Sequence, residues 1–101
     1  MQTLRLANYK ITKGTFSEIA DAAKGGMLKT FKEQPGFIRY GLADIGEGNC
    51  VSISLWDTHA HAEASVPVAA NWVREHLGDR VELRSNYVGD LAYFEGMPAT
   101  V

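Results

Sequence analysis

The chain has 101 residues, of which 46% are hydrophobic and 22% are charged. This length suits one small domain with a modest core, and this composition excludes a long disordered tract. Ten basic residues against twelve acidic ones give a net charge of -2, and the basic residues are scattered along the sequence. A surface that follows nucleic-acid phosphates is therefore not expected.

The cysteine count and the first residues indicate the compartment. Cys50 is the single cysteine, which excludes an internal disulfide and a cysteine-rich zinc site and suits a reducing environment. Residues 1–5 lack the basic and apolar regions of a signal peptide, and no apolar run approaches the roughly 20 residues of a membrane span. We predict a cytoplasmic protein without a membrane partner.

The first third of the chain predicts a strand followed by a helix. Residues 3–12 contain neither Gly nor Pro and are rich in strand-forming side chains. Thr15 and Glu18 have the spacing of a capping box, which starts a helix. Apolar residues then recur at helical spacing up to Pro35-Gly36, which ends the helix. Within it, Gly25-Gly26 predicts a bend or a close backbone contact.

The middle of the chain predicts a β-hairpin. Two strand-like runs, Phe37 to Ile45 and Cys50 to Trp56, are separated by Gly46-Glu47-Gly48-Asn49, whose residues readily take a positive φ. In the second run apolar residues alternate with serines, so that strand has one apolar face and one polar face.

A second helical region follows the hairpin. Asp57 or Thr58 can cap its start, but Pro67 lacks an amide hydrogen and clashes with the preceding turn of a straight helix. We therefore predict two helical pieces, the second starting near Ser65 and ending at Gly78. One stripe of the second piece is expected to be buried, consisting of Ala69, Trp72, Val73 and His76.

This order of elements predicts the fold class. With a last strand from Arg80 to Phe94, the chain reads βαββαβ, an α+β ferredoxin-like fold with a four-stranded antiparallel sheet and both helices on one face. We expect one domain spanning residues 1–101, with Glu95 to Val101 as a loose tail. Apolar residues on both faces of the outer strands predict that a second copy covers the other face, giving a homodimer.

Three short motifs carry a resemblance to a known family. Pro35-Gly36-Phe37 follows the first helix, Ser54-Leu55-Trp56 closes the third strand, and a Pro-started helical piece comes after it. In this plan the chain resembles the antibiotic biosynthesis monooxygenase family of dimeric α/β barrels. The family includes enzymes that oxidise polycyclic phenols with molecular oxygen and no metal or flavin, relatives that degrade heme, and many proteins of unknown role, so the resemblance implies a set of functions. In the family a His usually follows that Pro, whereas this chain reads Pro67-Val68-Ala69-Ala70-Asn71.

The chemistry that the resemblance implies needs few protein groups. The substrate supplies the electrons after it is deprotonated, and the protein contributes positioning and proton transfer. We predict a pocket between the helices and the sheet that supplies aromatic walls, hydrogen-bonding groups and a proton carrier. The predicted catalytic residues are His76, Asn8 and Trp72, and the predicted substrate-binding residues are Tyr40, Trp56 and His61. Alternatively, both Trp side chains are core residues and His76 is bonded to a backbone carbonyl.

Two further features predict no site. His59, His61 and Glu63 resemble a metal motif, but residues two apart on a helix point in different directions, and only His59 with Glu63 can share a ligand. No metal is predicted. Cys50 has no basic neighbour in the sequence, so a buried and inert thiol is expected.

Three functions stay open at this point. The leading one is a cofactor-independent monooxygenase acting on a small aromatic or quinol substrate. The second is a non-catalytic dimeric module that binds a small apolar molecule, because no strongly specific catalytic motif is present. The third is a heme-degrading relative, which Lys13-Gly14-Thr15, Asn8 and His76 resemble, although Ser65 stands where that branch carries a pocket Trp.

Overall fold

A computed structural model describes residues 1–96 of the chain. Its elements follow the predicted βαββαβ order. The strands are β1 (Thr3–Ile11), β2 (Phe37–Gly46), β3 (Asn49–Trp56) and β4 (Val81–Asp90), and the helices are α1 (Phe16–Ala22), α2 (Leu28–Lys32) and α3 (His59–His76). A π-helical segment, Ala23–Met27, joins α1 to α2, and a 3-10 turn, Gly78–Arg80, precedes β4. Most of the tail predicted from Glu95 onwards lies outside the described residues.

The four strands form one antiparallel sheet in the order β2-β3-β1-β4. β1 lies in the middle, where Leu6 pairs with Ile53 of β3 on one side and with Tyr87 of β4 on the other. The helices cover one face of this sheet, which confirms the predicted ferredoxin-like fold. The opposite face, called the open face below, carries no helix formed by residues 1–96.

The first helix, residues 16–32, consists of α1, the π-helical segment and α2. It begins where the sequence predicts, and its regular α-helical backbone is interrupted at the two predicted glycines. The Thr15 side chain accepts a hydrogen bond from the Glu18 backbone amide, and the Glu18 carboxylate accepts one from the Thr15 amide, which is the predicted capping box. The π-helical segment contains both Gly25 and Gly26. A Cβ on Gly26 would lie 2.5 Å from Cζ2 of Trp72 in α3. Gly26 therefore allows the first helix and α3 to touch.

Strand alternation decides which side chains face the helices. In β3 every second residue is buried, namely Cys50, Ser52, Ser54 and Trp56. The apolar residues between them point to the open face, where Ile53 is 36% exposed. The predicted alternation is present, and the polar face is the one under the helices. Small serine side chains there leave space for the helices to pack close to the sheet.

The prediction of two helical pieces is wrong, because α3 is one continuous helix with Pro67 inside it. Thr58 caps its start by accepting a hydrogen bond from the His61 amide at 3.1 Å. Pro67 is exposed, so the carbonyl that loses its helical donor lies where water can replace it. Within residues 1–96, the structure has no helix that is both long and apolar enough to cross a membrane.

The last strand is shorter than predicted. β4 ends at Asp90. Beyond it, the Leu91 amide donates one more hydrogen bond to the Gln2 carbonyl at 2.9 Å. Tyr93 and Phe94 are 78% and 70% exposed and belong to no strand. β1 begins at Thr3, opposite Asp90, so β1 offers no strand partner beyond that point of β4.

The contact between Gly26 and Trp72 generates a stability prediction with an internal control. We expect Gly26→Ala to lower the free energy of unfolding by about 1–2 kcal/mol, since overpacking costs about 1–3 kcal/mol and the helix-propensity gain offsets up to about 1. A Cβ on Gly25 would meet nothing within 4 Å, so Gly25→Ala is expected to stabilise by up to about 1 kcal/mol. Urea denaturation of both variants measures this difference. Equal stability of the two variants would contradict the close contact.

Candidate functional site

A small cavity lies between the helices and the sheet and is called the inner cavity below. Its walls come from α1, the π-helical segment, α3 and all four strands, and they are mostly apolar. The volume is about 20 Å³, which corresponds to space for roughly one water molecule. The inner cavity is thus nearly filled by side chains in this conformation.

Tyr40 and Ser52 supply polar groups to the inner cavity. Burial raises the pKa of the Tyr40 phenol to about 12, and the hydrogen bond to Ser52 acts in the opposite direction without cancelling that effect. The phenol therefore stays protonated at neutral pH. A neutral phenol next to a hydroxyl can donate a hydrogen bond to an oxygen atom of a ligand.

Trp72 lines the inner cavity, but His76 does not. The imidazole of His76 stacks on the outer side of the Trp72 indole, with ring centroids 4.8 Å apart and an interplanar angle of 30°. His76 is exposed, so its predicted place on the buried stripe is wrong. α3 ends at this residue, and Leu77, which is 5% exposed, takes the buried position instead.

Asn8 lies on the open face, away from Trp72. Its neighbours Ala7 and Tyr9 are buried beneath the helices, and successive side chains of a strand point to opposite faces. The Asn8 amide donates to the Ser85 hydroxyl at 2.8 Å. The structure therefore does not bring together the three predicted catalytic residues, and Trp72 alone among them reaches the inner cavity.

The other predicted binding residues lie apart from the inner cavity, except Tyr40. Trp56 is fully buried in a cluster of aromatic rings, and its indole nitrogen donates to Ser54 Oγ at 2.9 Å. Trp56 is thus the core residue with a hydrogen-bonded indole that the alternative interpretation described. Nδ1 of His61 lies 2.6 Å from Oδ1 of Asp57 at the start of α3, at the protein surface.

Several lining residues were not among the predicted site residues. Tyr9, Met27, Ser52 and Cys50 all line the inner cavity. Ser52 had a signal in the sequence, because a serine on a strand with one polar face must find a hydrogen-bond partner when helices cover it. Burial and then the charge of Asp44 raise the pKa of the Cys50 thiol, which agrees with the predicted inert cysteine.

Two larger depressions flank the inner cavity. The β2 groove, about 240 Å³, runs between the first helix and β2. It shares Ala23, Tyr40 and Leu42 with the inner cavity. The β4 cleft, about 260 Å³, lies on the other side of α3 and shares Tyr9 and Val73 with it. Movement of a few shared side chains would therefore connect the inner cavity to either depression.

The open face carries a hollow of about 430 Å³, larger than any of these spaces. Its floor is apolar, and Phe94 lies against it from the segment after β4. The residues that form its floor and rim are Leu4, Leu6, Arg39, Tyr40, Gly41, Ile53 and Leu55.

His59 links the start of α3 to the end of β4. Its Nδ1 lies 2.9 Å from Oδ1 of Asp90, and its Nε2 lies 3.2 Å from Oε1 of Glu63. Asp90 also accepts a hydrogen bond from the Thr3 hydroxyl at 2.8 Å. His61 points elsewhere, as helical geometry predicts for residues two apart. Residues 1–96 contain no group of three or more His, Cys, Asp or Glu side chains arranged to hold a metal ion.

Comparison with known proteins identifies the fold. Neither a protein family model nor a curated protein matches the sequence. Among solved structures, a variant of SnoaB, a cofactor-independent oxygenase from Streptomyces nogalater, is similar with a TM-score of 0.70 and 14% identity over 92% of this chain and 95% of that one. A putative antibiotic biosynthesis monooxygenase from Chloroflexus aurantiacus has a TM-score of 0.64 and 15% identity over 97% and 100% of the two chains.

The chain has an antibiotic biosynthesis monooxygenase-like fold. This confirms the resemblance inferred from the sequence motifs. The same fold also occurs in a NIPSNAP family protein of unknown function from Agrobacterium tumefaciens, with a TM-score of 0.64 and 17% identity over 93% of this chain and 91% of that one. At these identities the similarity identifies the fold alone.

The residues of this monooxygenase-like domain do not fit a heme. A heme-degrading site needs the candidate axial ligand His76 and the candidate amide Asn8 beside the same macrocycle. The His76 side chain is exposed at the end of α3, where it stacks on Trp72, and Asn8 points from the open face of the sheet. The inner cavity between them has a volume of about 20 Å³. We derive no heme chemistry for this chain.

The His59 network generates a pH prediction. Its hydrogen bond to Asp90 raises the pKa of His59 above the usual 6.5, so its contribution to stability is complete below that value and disappears as pH rises through the raised pKa. We expect the loss of unfolding free energy between pH 5.5 and pH 8.5 to be smaller in His59→Gln than in the wild type. The matched control is His76→Gln, which removes an exposed imidazole without a carboxylate partner among the described residues. Identical pH profiles for His59→Gln and the wild type would contradict this role.

Proposed function

We propose that the protein is a cofactor-independent monooxygenase that oxidises a small aromatic or quinol substrate with molecular oxygen. The observation that carries this proposal is the inner cavity, an apolar space closed by Trp72 and provided with the neutral phenol of Tyr40 beside the Ser52 hydroxyl. The similarity to a cofactor-independent oxygenase supports it.

The proposed reaction takes its electrons from the substrate. An activated ring CH₂ of an anthrone loses a proton, the carbanion reduces O₂, one oxygen atom becomes a carbonyl oxygen and the other leaves as water. The balance is CH₂ plus O₂ to C=O plus H₂O, so no further reductant is needed. An apolar enclosure favours the uptake of the aromatic ring and of O₂, and it excludes competing water.

Tyr40 is proposed to bind the oxygen atom on which negative charge develops. A phenol with a pKa of about 12 holds its proton while the substrate ionises, so it donates a hydrogen bond to the phenolate or enolate oxygen. The inner cavity is lined by no carboxylate and no imidazole of the described residues. We therefore propose substrates whose own acidity is sufficient for ionisation near neutral pH.

The β2 groove is the proposed access route. It meets the inner cavity at Ala23, Tyr40 and Leu42, and Lys24 lies at its rim. The inner cavity alone is too small for a ring, so binding requires Tyr40 and Leu42 to move into the groove volume. A cationic Lys24 at the rim would favour an ionised phenol over a neutral one.

The position of His76 supports a second candidate function, a non-catalytic binding module. Because the expected proton carrier lies outside the inner cavity, a non-catalytic module that binds a small apolar molecule also fits the site. Native mass spectrometry distinguishes the two. A retained small molecule that stays chemically unchanged in air favours the binding module, and conversion of that molecule favours the oxygenase.

We also propose that the protein is a homodimer joined through its open face. That face exposes Ile53 at 36% and Tyr87 at 61%, next to the apolar hollow. Contiguous apolar surface of this kind marks an interaction site in a small protein. A second copy of the same sheet is apolar over the same residues and so supplies a matching surface.

The oxygenase proposal predicts oxygen consumption that depends on the Tyr40 hydroxyl. With a panel of anthrones and hydroquinones, we expect wild-type protein to consume oxygen above the spontaneous rate and Tyr40→Phe to lose roughly a hundredfold in rate. Tyr93→Phe removes an exposed phenol and is expected to leave the rate unchanged. Absence of protein-dependent oxygen uptake across the whole panel would sink the oxygenase proposal.

The dimer proposal predicts that one charge on the open face dissociates the protein. A buried, unpaired carboxylate is costly at an apolar interface, so Ile53→Glu is expected to sediment as a monomer at micromolar concentration while the wild type sediments as a dimer. Leu83→Glu places the same charge on an exposed residue of the β4 cleft and is the control. A monomeric wild type would contradict the proposal.

A further inference from the structure

Among residues 1–96, Arg5 is a buried charge without a counter-charge. It lies on β1, faces the helices and is 3% exposed. A guanidinium stays protonated in proteins, and moving it out of water costs several kcal/mol unless an opposite charge compensates. The ion pairs among residues 1–96 involve Arg80, Arg84 and two histidines, and none involves Arg5.

The side chains of the described residues satisfy only part of the Arg5 guanidinium. Its Nε donates to Oδ1 of Asn86 at 2.8 Å, and that amide is neutral. Within the described chain, no fully buried side-chain nitrogen or oxygen lacks a hydrogen-bond partner. The terminal Nη atoms of Arg5 therefore still reach space outside the protein, and the β4 cleft is the space that Arg5 lines.

The β4 cleft combines two cations with apolar walls. Arg74 of α3 lines it together with Arg5, and its Nη2 is bonded to Oδ1 of Asn71, another neutral amide. Val66, Ala70 and Leu83 supply apolar surface. No acidic side chain lines the cleft among residues 1–96. The volume of about 260 Å³ is just below the range of roughly 300–1,000 Å³ that holds drug-sized ligands.

We propose that the β4 cleft binds a small organic anion, a carboxylate attached to a compact apolar body such as a single ring. A guanidinium presents parallel N–H donors that match the two oxygens of a carboxylate. The carboxylate lies against Arg5 at the floor of the cleft, Arg74 adds charge at the rim, and the apolar body contacts Val66, Ala70 and Leu83. This inference does not depend on the proposed oxygenase, since the cleft and the inner cavity are separated by Tyr9 and Val73.

The test is a titration followed by two-dimensional proton–nitrogen NMR at neutral pH and constant ionic strength. Benzoate is the probe, benzamide is the neutral molecule of the same shape, and inorganic phosphate is an anion without an apolar body. We expect benzoate to shift the Arg5 Nε–H signal and the backbone amides of Ala70 and Gly78 saturably, with phosphate weaker and benzamide without effect. Equal shifts by benzamide, equal affinity for phosphate, or no saturable shift at millimolar benzoate would each overturn the proposal.

Two substitutions locate the charge responsible. Arg5→Met keeps an unbranched side chain without the charge and is expected to weaken benzoate binding at least tenfold. Arg84→Met is the matched control, because Arg84 is exposed on β4 and paired with Glu82 outside the cleft. If Arg5→Met does not fold, two other measurements test the site. These are the benzoate affinity of Arg74→Met and the benzoate-dependent shift of the Arg5 Nε–H signal in the wild type. Unchanged benzoate affinity in both Arg5→Met and Arg74→Met would exclude this cleft as the binding site.

Discussion

The packing on the helical side of the sheet depends on how closely the first helix, residues 16–32, approaches α3. The contact between Gly26 and the Trp72 indole sets that distance. A Cβ at position 26 would overlap the indole, so the two helices could not pack at this distance with any residue other than Gly at that position. The backbone widens into a π-helical segment at the same place, and such segments often occur at functional sites. Ala23 and Met27 of this segment line the inner cavity together with Trp72, so the contact lies directly beside the cavity wall.

The sheet complements this close approach through small side chains on β3. Ser52 and Ser54 are buried under the helices, where larger residues would hold the helices away from the sheet. The Ser54 hydroxyl also satisfies a larger neighbour, since it accepts a hydrogen bond from the Trp56 indole, and Ser52 lines the inner cavity together with Tyr40. The consequence is a division of the strand by function. Its polar face supports the core and the inner cavity, and its apolar face lies on the open face of the sheet.

Local patterns in the sequence predicted the fold well and the site poorly, for reasons that differ from residue to residue. The capping box at Thr15 and the turn before Asn49 depend on local chemistry, and both lie where they were expected. Asn8 was expected in the pocket, but the choice between the two faces of a strand depends on where the helices pack, which one strand does not encode. His76 fits the helical period, yet the helix ends there and Leu77 fills the buried position. Arg5 carried no signal at all, since a charged residue in a strand is ordinary until the tertiary structure buries it.

Pro67 has a mechanical consequence for α3. The Glu63 carbonyl has no helical donor opposite Pro67, so the helix can flex there without losing a backbone hydrogen bond. The half before Pro67 is tethered to the end of β4 by the bond between His59 and Asp90. No side-chain hydrogen bond of the described chain ties the half after Pro67 to the sheet. The half after Pro67, which carries Trp72, is held by apolar packing in the core instead, so the two halves of α3 are anchored by different interactions on either side of an interrupted backbone ladder.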